Sequence, residues 1–232
     1  MAAERPLAGA TVVFDLDGTL VDTAPDLVAT LNAILGQERL PPLPLEAARN
    51  LIGHGARRLL ERGFEAAGAP LPADREGELF DRFIARYRAH IADQSRPFPG
   101  VRKALGALSA AGAGLAVCTN KPTDLAVALL QALGLRGLFA AVVGPDAAAA
   151  RKPDPRHLAA AVAAAGGGMA RAVMVGDAPT DADAARAAGV PLVLVSFGYT
   201  EIPAAELAPD VLIEHFADLP QACLRLLGAC SA

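Results

Sequence analysis

Six polar side chains scattered along the sequence have types and local spacings suited to acid/base, metal or anion chemistry: Asp15, Asp17, Thr119, Lys152, Asp177 and Asp181. Asp15 and Asp17 lie two residues apart in Val12-Val13-Phe14-Asp15-Leu16-Asp17-Gly18-Thr19-Leu20, where a β-branched and aromatic run typical of a buried strand comes to an end. Gly18 follows, permitting a tight turn in which backbone approaches a ligand closely. Taken alone, the pair fits a hard-cation site, an acid/base pair, or a nucleophile with a helper. It fits equally well a solvated Asp-Gly turn.

Three later clusters decide between these readings. Thr119-Asn120-Lys121 precedes a helix opened by Pro122, so a hydroxyl and backbone N–H groups meet at a helix start, a ready anion site. In isolation Thr119-Asn120 is more often an N-cap. Arg151-Lys152-Pro153-Asp154-Pro155 holds one of only three lysines in a loop stiffened by two prolines, where it can serve as a fixed positive charge. Gly176-Asp177-Ala178-Pro179-Thr180-Asp181 puts one aspartate at a strand end and another at the opening of the next helix.

The elements that must position these residues follow from periodicity. Helical spacing of Leu27, Val28, Leu31, Ile34 and Leu35 after Pro25 predicts a helix with Thr23 or Ala24 near its cap. From about residue 45 to 92 no strand is legible. Helical patterns rich in Arg and Glu are broken there by Gly53-His54-Gly55 and Gly68-Ala69-Pro70-Leu71-Pro72. Beyond Pro97-Phe98-Pro99-Gly100 a regular alternation begins. It predicts strands at 115–118, 139–143, 171–175, 192–195 and 211–213, with helices at 122–133, 155–165, 179–188 and 218–227. Near-continuous apolar strands alternating with helices predict an α/β fold, a doubly wound and mostly parallel sheet covered on both faces. The expected domains are a core of residues 1–22 and 95–232 and a small α-helical cap of residues 23–94.

Composition narrows the function classes. The 232 residues are 53% hydrophobic but only 4% aromatic, with no Trp, so alanine-rich helices must pack closely. A net charge of -4 argues against a nucleic-acid partner, which needs a basic face. No apolar run reaches the roughly 18 residues of a spanning helix and no secretory leader opens the chain, so a cytoplasmic setting without membrane association is expected. Cys118, Cys223 and Cys230 do not form a disulfide framework. The last two read as buried thiols on one helix face.

In a parallel sheet the strand ends meet along one edge, so these carboxylates crowd together and cannot all ionise without a counter-charge. Mg²⁺ is the natural solution, a hard cation taking oxygen ligands from a few carboxylates and a substrate phosphate, with Lys152 supplying further positive charge.

Asp15-Leu16-Asp17-Gly18-Thr19, Thr119-Asn120, Lys152 and Gly176-Asp177 with Asp181 resemble the four ordered motifs of the haloacid-dehalogenase-like phosphohydrolases. The resemblance spans nearly the whole chain, and the helical insertion is similar to that superfamily's small cap on a Rossmannoid core. Within the superfamily the chain most resembles bacterial phosphoglycolate phosphatases. Thr23-Ala24-Pro25-Asp26-Leu27, Gly53-His54-Gly55, Thr119-Asn120-Lys121 and Ser196-Phe197-Gly198-Tyr199 carry that closer likeness. The resemblance implies Mg²⁺-dependent hydrolysis of a small phosphomonoester, 2-phosphoglycolate first, through an aspartyl-phosphate. Asp15 is the implied nucleophile and Asp17 the acid/base. Gly18, Thr119, Asn120 and Lys152 are the implied phosphate-binding groups. The implied metal ligands are Asp15, the Asp17 backbone carbonyl and Asp177, with Asp181 acting through water or by positioning a neighbour. One departure stands out: the last motif often carries Ser or Thr after its aspartate, and here that residue is Ala178.

Substrate choice is expected to lie with the cap, at Gly53, His54, Gly55 and Arg57, an arginine being well suited to a small acid's carboxylate. Phe64, Phe80, Phe83 and Tyr87 read as packing within the cap, and His90, His157 and His215 as surface or helix-end residues. The partner is expected to be a small phosphorylated metabolite, with the chain a monomer or homodimer. Alternative readings are a phosphosugar phosphatase or mutase on the same scaffold, and, outside enzymes, a phosphate-sensing or partner-binding protein without turnover.

Overall fold

Along each central strand successive side chains point to opposite faces, so the apolar residues divide between two layers of helices. The computed structural model describes residues 5–200 and 202–228. In chain order its elements are β1 (Thr11–Phe14), β2 (Val21–Asp22), α1 (Ala24–Gln37), α2 (Leu45–Arg49), α3 (Ala56–Ala66), α4 (Glu76–Ala89) and β3 (Arg96–Pro97). Then follow α5 (Val101–Ala110), β4 (Gly114–Cys118), α6 (Thr123–Ala132), β5 (Ala141–Val143), α7 (Pro145–Ala148), α8 (Pro155–Ala164) and β6 (Ala172–Gly176). The series closes with α9 (Pro179–Ala188), β7 (Leu192–Val195), β8 (Val211–Ile213) and α10 (Leu219–Gly228).

The main sheet has six strands in the order β5-β4-β1-β6-β7-β8, every pair parallel. The doubly wound architecture expected from the sequence is therefore the one present. Val12 and Phe14 join a core layer with Leu105 of α5, Leu129 of α6 and Cys223 of α10. Val13 faces the other way, into a layer with Leu158 of α8 and Ala182 of α9. Each fully buried Leu, Val or Phe in these layers stabilises the fold by about 1.5–3 kcal/mol relative to exposure. Because β4 and β6 flank β1, the order of connection reverses at β1, and the crevice beyond its carboxyl end is where an open α/β sheet binds ligands.

Helices α1 to α4 lie between β2 and β3 and share an apolar cluster of their own, with Leu31, Phe64 and Phe83 at its centre and Leu125 and Tyr199 contributed from the sheet side. Two features were not legible in the sequence. β2 and β3 form a two-stranded antiparallel ribbon, pairing Val21 with Pro97 and Asp22 with Arg96, so the chain leaves and rejoins the sheet side by side. Short α7 follows β5 directly. His157 also departs from expectation: it is fully buried in α8, its Nε2 3.1 Å from the Val143 carbonyl. Cys223 is buried as expected, and Cys230 lies outside the described residues.

Asp26, in the first turn of α1, fastens the helical region to the returning chain. Its carboxylate accepts from the Gln94 amide at 3.0 and 3.1 Å, the Ser95 amide at 2.8 Å and the Ser95 hydroxyl at 2.6 Å. Removing the acceptor strands the Ser95 amide and hydroxyl in a buried position. Asp26→Ala is expected to lower unfolding free energy in urea by about 2–4 kcal/mol, since hydrogen bonds to charged groups contribute about 1.5–3 kcal/mol each. A loss under about 0.5 kcal/mol, the size of an ordinary surface change, would show that the staple contributes little.

Candidate active site

The carboxyl ends of β1, β4 and β6 bring three of the four sequence clusters together, and the loop before α8 brings the fourth. Asp15 directly follows β1, its amide donating to the Val175 carbonyl of β6 at 2.9 Å. Its Oδ1 accepts from the Leu16 amide at 2.7 Å and lies 2.8 Å from Lys152 Nζ. The same ammonium donates to Asp181 Oδ1 at 2.6 Å. The other Asp181 oxygen accepts from the Asp177 and Ala178 amides, both at 3.1 Å. Asp177 is held by the Thr19 hydroxyl at 2.6 Å and by the Tyr199 amide at 2.7 Å, one donor on each carboxylate oxygen. Oxygens of Asp15, Asp177 and Asp181 lie within 4.8 Å of one another, all three residues buried.

That packing is electrostatically incomplete. Burial, opposed by Lys152 and reinforced by Asp181 and Asp17, pushes the Asp15 carboxyl up to about 7. Burial, then repulsion from Asp181 and Asp15, holds Asp177 well above the ordinary carboxylate range. For Lys152, burial works against the charge, but attraction to Asp15 and Asp181 outweighs it and the ammonium is strengthened. A single lysine among three buried carboxylates leaves net negative charge in a site of low dielectric, which fits an oxygen-ligated dication.

A family model for haloacid dehalogenase-like hydrolases matches residues 10–189. The chain belongs to the haloacid dehalogenase-like hydrolases. It is 60% identical to a phosphoglycolate phosphatase of Caulobacter vibrioides over all of this chain and 98% of that one. It is 47% identical to a phosphoglycolate phosphatase of Agrobacterium fabrum, over 98% of this chain and 99% of the relative. Among solved structures, a predicted phosphoglycolate phosphatase from Haemophilus somnus 129pt superposes with a TM-score of 0.86 at 32% identity, covering 93% of this chain and 98% of that chain.

In this hydrolase the pocket lies between the sheet edge and the helical region. It is lined by Asp15, Asp17, Thr119 and Asn120 from below and by Gly53 and Gly55 from the loop between α2 and α3. Arg57 is not brought there: it pairs with Glu76 at 2.9 Å, stacks over the Phe80 ring and is 59% exposed. The reason is local, since α3 turns that side of its first turn toward α4. His54 is not among the lining residues, and its carbonyl accepts from the Arg151 guanidinium. The Asn120 side chain clamps the Lys152 loop, accepting from the Lys152 amide at 2.9 Å and donating to its carbonyl at 3.2 Å. Thr119 Oγ1 accepts from the Lys121 amide at 3.2 Å. Ala178, at the N-cap of α9, offers no side-chain acceptor, and Asp181 at the third helical position accepts from the Ala178 and Asp177 amides.

Several contacts at the site were missed in the sequence. Lys121 grips Asp17 with both carboxylate oxygens at 2.9 Å, and its ammonium lies 4.6 Å from the centre of the Tyr87 ring. The Thr23 hydroxyl donates to Asp17 at 2.7 Å rather than capping α1. The Tyr199 hydroxyl accepts from the Ala24 amide at 3.0 Å and donates to Asp22, which also holds Arg49 through two bonds of 3.1 Å. The sequence marked Lys121 only by its place in Thr119-Asn120-Lys121 and by the scarcity of lysine, and neither pointed to Asp17 or Tyr87.

Gly18 and Gly198 let backbone close around Asp177. Gly18 has φ +83, and a Cβ there would lie 2.5 Å from Asp177 Oδ2, while one on Gly198 would lie 2.1 Å from Asp177 Cβ. The raised carboxyls set a pH dependence. An unfolded aspartate ionises near 3.8, while in the folded, metal-free site Asp15 is pushed up to about 7 and Asp177 is held well above the ordinary carboxylate range, so the folded state binds more protons and loses stability as pH rises past the unfolded value. In chelator, Asp177→Asn is therefore expected to gain stability relative to the parent as pH rises above the ordinary carboxylate range, followed by urea denaturation. A stability difference independent of pH would contradict this account of the site.

Proposed function

We propose that the chain is a Mg²⁺-dependent phosphomonoesterase acting on a small phosphorylated acid, with 2-phosphoglycolate the leading substrate. The observation that carries this reading is Asp15 itself. One of its oxygens is fixed by Lys152 and the Leu16 amide, while the residue faces a pocket that also receives Asp17, Thr119 and Asn120. The names of its relatives supply the substrate, and the family supplies the reaction class.

In this proposal the Asp15 carboxylate attacks phosphorus from the oxygen not bonded to Lys152, and the P–O bond to the leaving group breaks. Asp17 gives its proton to the departing oxygen, then takes one from the water that cleaves the aspartyl-phosphate. Lys152 holds Asp15 in line and offsets charge on the phosphoryl oxygens, which Thr119 and the backbone amides about Gly18 and Asn120 bind. Asp15, the Asp17 backbone carbonyl and Asp177 would hold Mg²⁺, and Asp181 keeps Lys152 and Asp177 in place. When bound, the ion offsets the negative charge shared by carboxylates and phosphate. Residues 23–94 act as a cap that covers the site, with Gly53, His54 and Gly55 at its edge. The partner is a small metabolite met in the cytoplasm, without nucleic acid or membrane. Among the described residues no helix is long and apolar enough to cross a bilayer.

The test is phosphate release by the purified protein from 2-phosphoglycolate, sugar phosphates and pyrophosphate, with Mg²⁺ and with chelator. Mg²⁺-dependent turnover fastest on 2-phosphoglycolate is expected. Asp17→Asn should slow it by about 10²–10⁴-fold, the usual contribution of a general acid/base. Equal rates in chelator, or full activity in Asp15→Asn, would contradict the mechanism. A sugar phosphate as best substrate would overturn the substrate alone.

A further inference from the structure

The part of the pocket that faces away from Asp15 is almost wholly apolar. Leu27, Ile52, Leu59, Phe83 and Leu125 form its walls. Lys121 is the only cationic side chain among the described residues that line it. Its ammonium donates to both oxygens of Asp17 and also lies against the Tyr87 hydroxyl, the one contact that an incoming acceptor would displace. Tyr87 lies beside it with 1% of its surface exposed, and its hydroxyl has no hydrogen-bond partner of good geometry among the described residues. A buried hydroxyl with no acceptor is destabilising, so a ligand that supplies an acceptor there gains by doing so. Asp17 already receives the Thr23 hydroxyl, so holding that carboxylate in place does not require all that Lys121 offers.

We propose that Lys121 Nζ and Tyr87 Oη form the subsite that receives the carboxylate of the substrate, and so set the preference for small phosphorylated acids over uncharged esters. This rests on the phosphomonoesterase reading above. A carboxylate placed here accepts from the Lys121 ammonium and from the Tyr87 O–H while its carbon chain lies against the apolar walls. The role expected of Arg57 thus passes to a lysine on the sheet side and a tyrosine on α4. Such a pair reads the carboxylate only when the helical region lies over the site, which couples recognition to closure.

The experiment compares kcat/KM for 2-phosphoglycolate and for 2-hydroxyethyl phosphate, in which a neutral hydroxymethyl replaces the carboxylate. Parent protein, Tyr87→Phe and Lys121→Met are each measured. The parent is expected to favour the acid by about 30-fold or more, the discrimination given by charge-assisted hydrogen bonds. Tyr87→Phe removes from the free protein only a hydroxyl whose sole neighbour is the Lys121 ammonium. It is expected to lower the acid-to-neutral ratio about 5–10-fold through KM for the acid, the value of one hydrogen bond. Lys121→Met loses kcat on both esters through its contact with Asp17, and its acid-to-neutral ratio is expected to fall close to one. Ratios unaltered in both variants would overturn the subsite, leaving Lys121 to serve Asp17 and Tyr87 to pack. A parent that hydrolyses both esters equally well would also overturn it while leaving the phosphatase reading intact. Phosphate release from neither ester would remove both.

Discussion

Of three clustered, buried carboxylates two share one buried lysine and the third has no cation, and the rest of the structure is arranged around that imbalance. Asp15, Asp177 and Asp181 are 5%, 1% and 0% exposed and Lys152 is 2% exposed, so water screens none of them. Ionised groups so placed are stable only when paired and hydrogen-bonded. Two parts of the charge are settled within the chain: Lys152 bridges Asp15 and Asp181, and Asp181 is further tied to the backbone opening α9. Asp177 is left with hydrogen bonds from a hydroxyl and an amide and no cation of its own. Unbalanced buried charge of this kind fits the cation and the neighbouring phosphoryl group of the proposed reaction.

The same site is linked mechanically to the helical region. The Tyr199 amide holds Asp177 while its hydroxyl joins Asp22 and the first amide of α1. Arg49 of α2 completes the chain through Asp22 and lies over the Tyr199 ring at 5.5 Å. On the other side of the pocket, Lys121 connects the Asp17 carboxylate to α4 through Tyr87. Both connections run between carboxylates at the sheet edge and the helical region. Rearranging the helical region therefore acts directly on the surroundings of Asp17 and Asp177.

Much of this was legible in the residue order because the strands are nearly pure Val, Leu, Ala and Cys, and polar clusters stand at their ends. The parallel topology then fixes that Asp15, Thr119 and Asp177 share an edge, without any knowledge of the loops. What stayed hidden were contacts between residues far apart in sequence. Nothing local marks Asp26 as the staple to Gln94 and Ser95, or Tyr199 as a brace for Asp177. Tyr87 sits at helical spacing with Phe83 and so reads as core, which it partly is, while its hydroxyl end belongs to the pocket. Arg57 illustrates the reverse error: residue type suggested an anion site, but the turn of α3 directs it to Glu76 and Phe80. The β2–β3 ribbon escaped notice because two-residue strands carry no periodicity.

The most direct measurement of the central claim is equilibrium binding of Mg²⁺ to the purified protein by calorimetry near neutral pH, without substrate. One ion per chain, with protons released as it binds and binding abolished in Asp177→Asn, is the result expected of an under-neutralised carboxylate cluster. Absence of binding, or binding that survives the loss of Asp177, would contradict it.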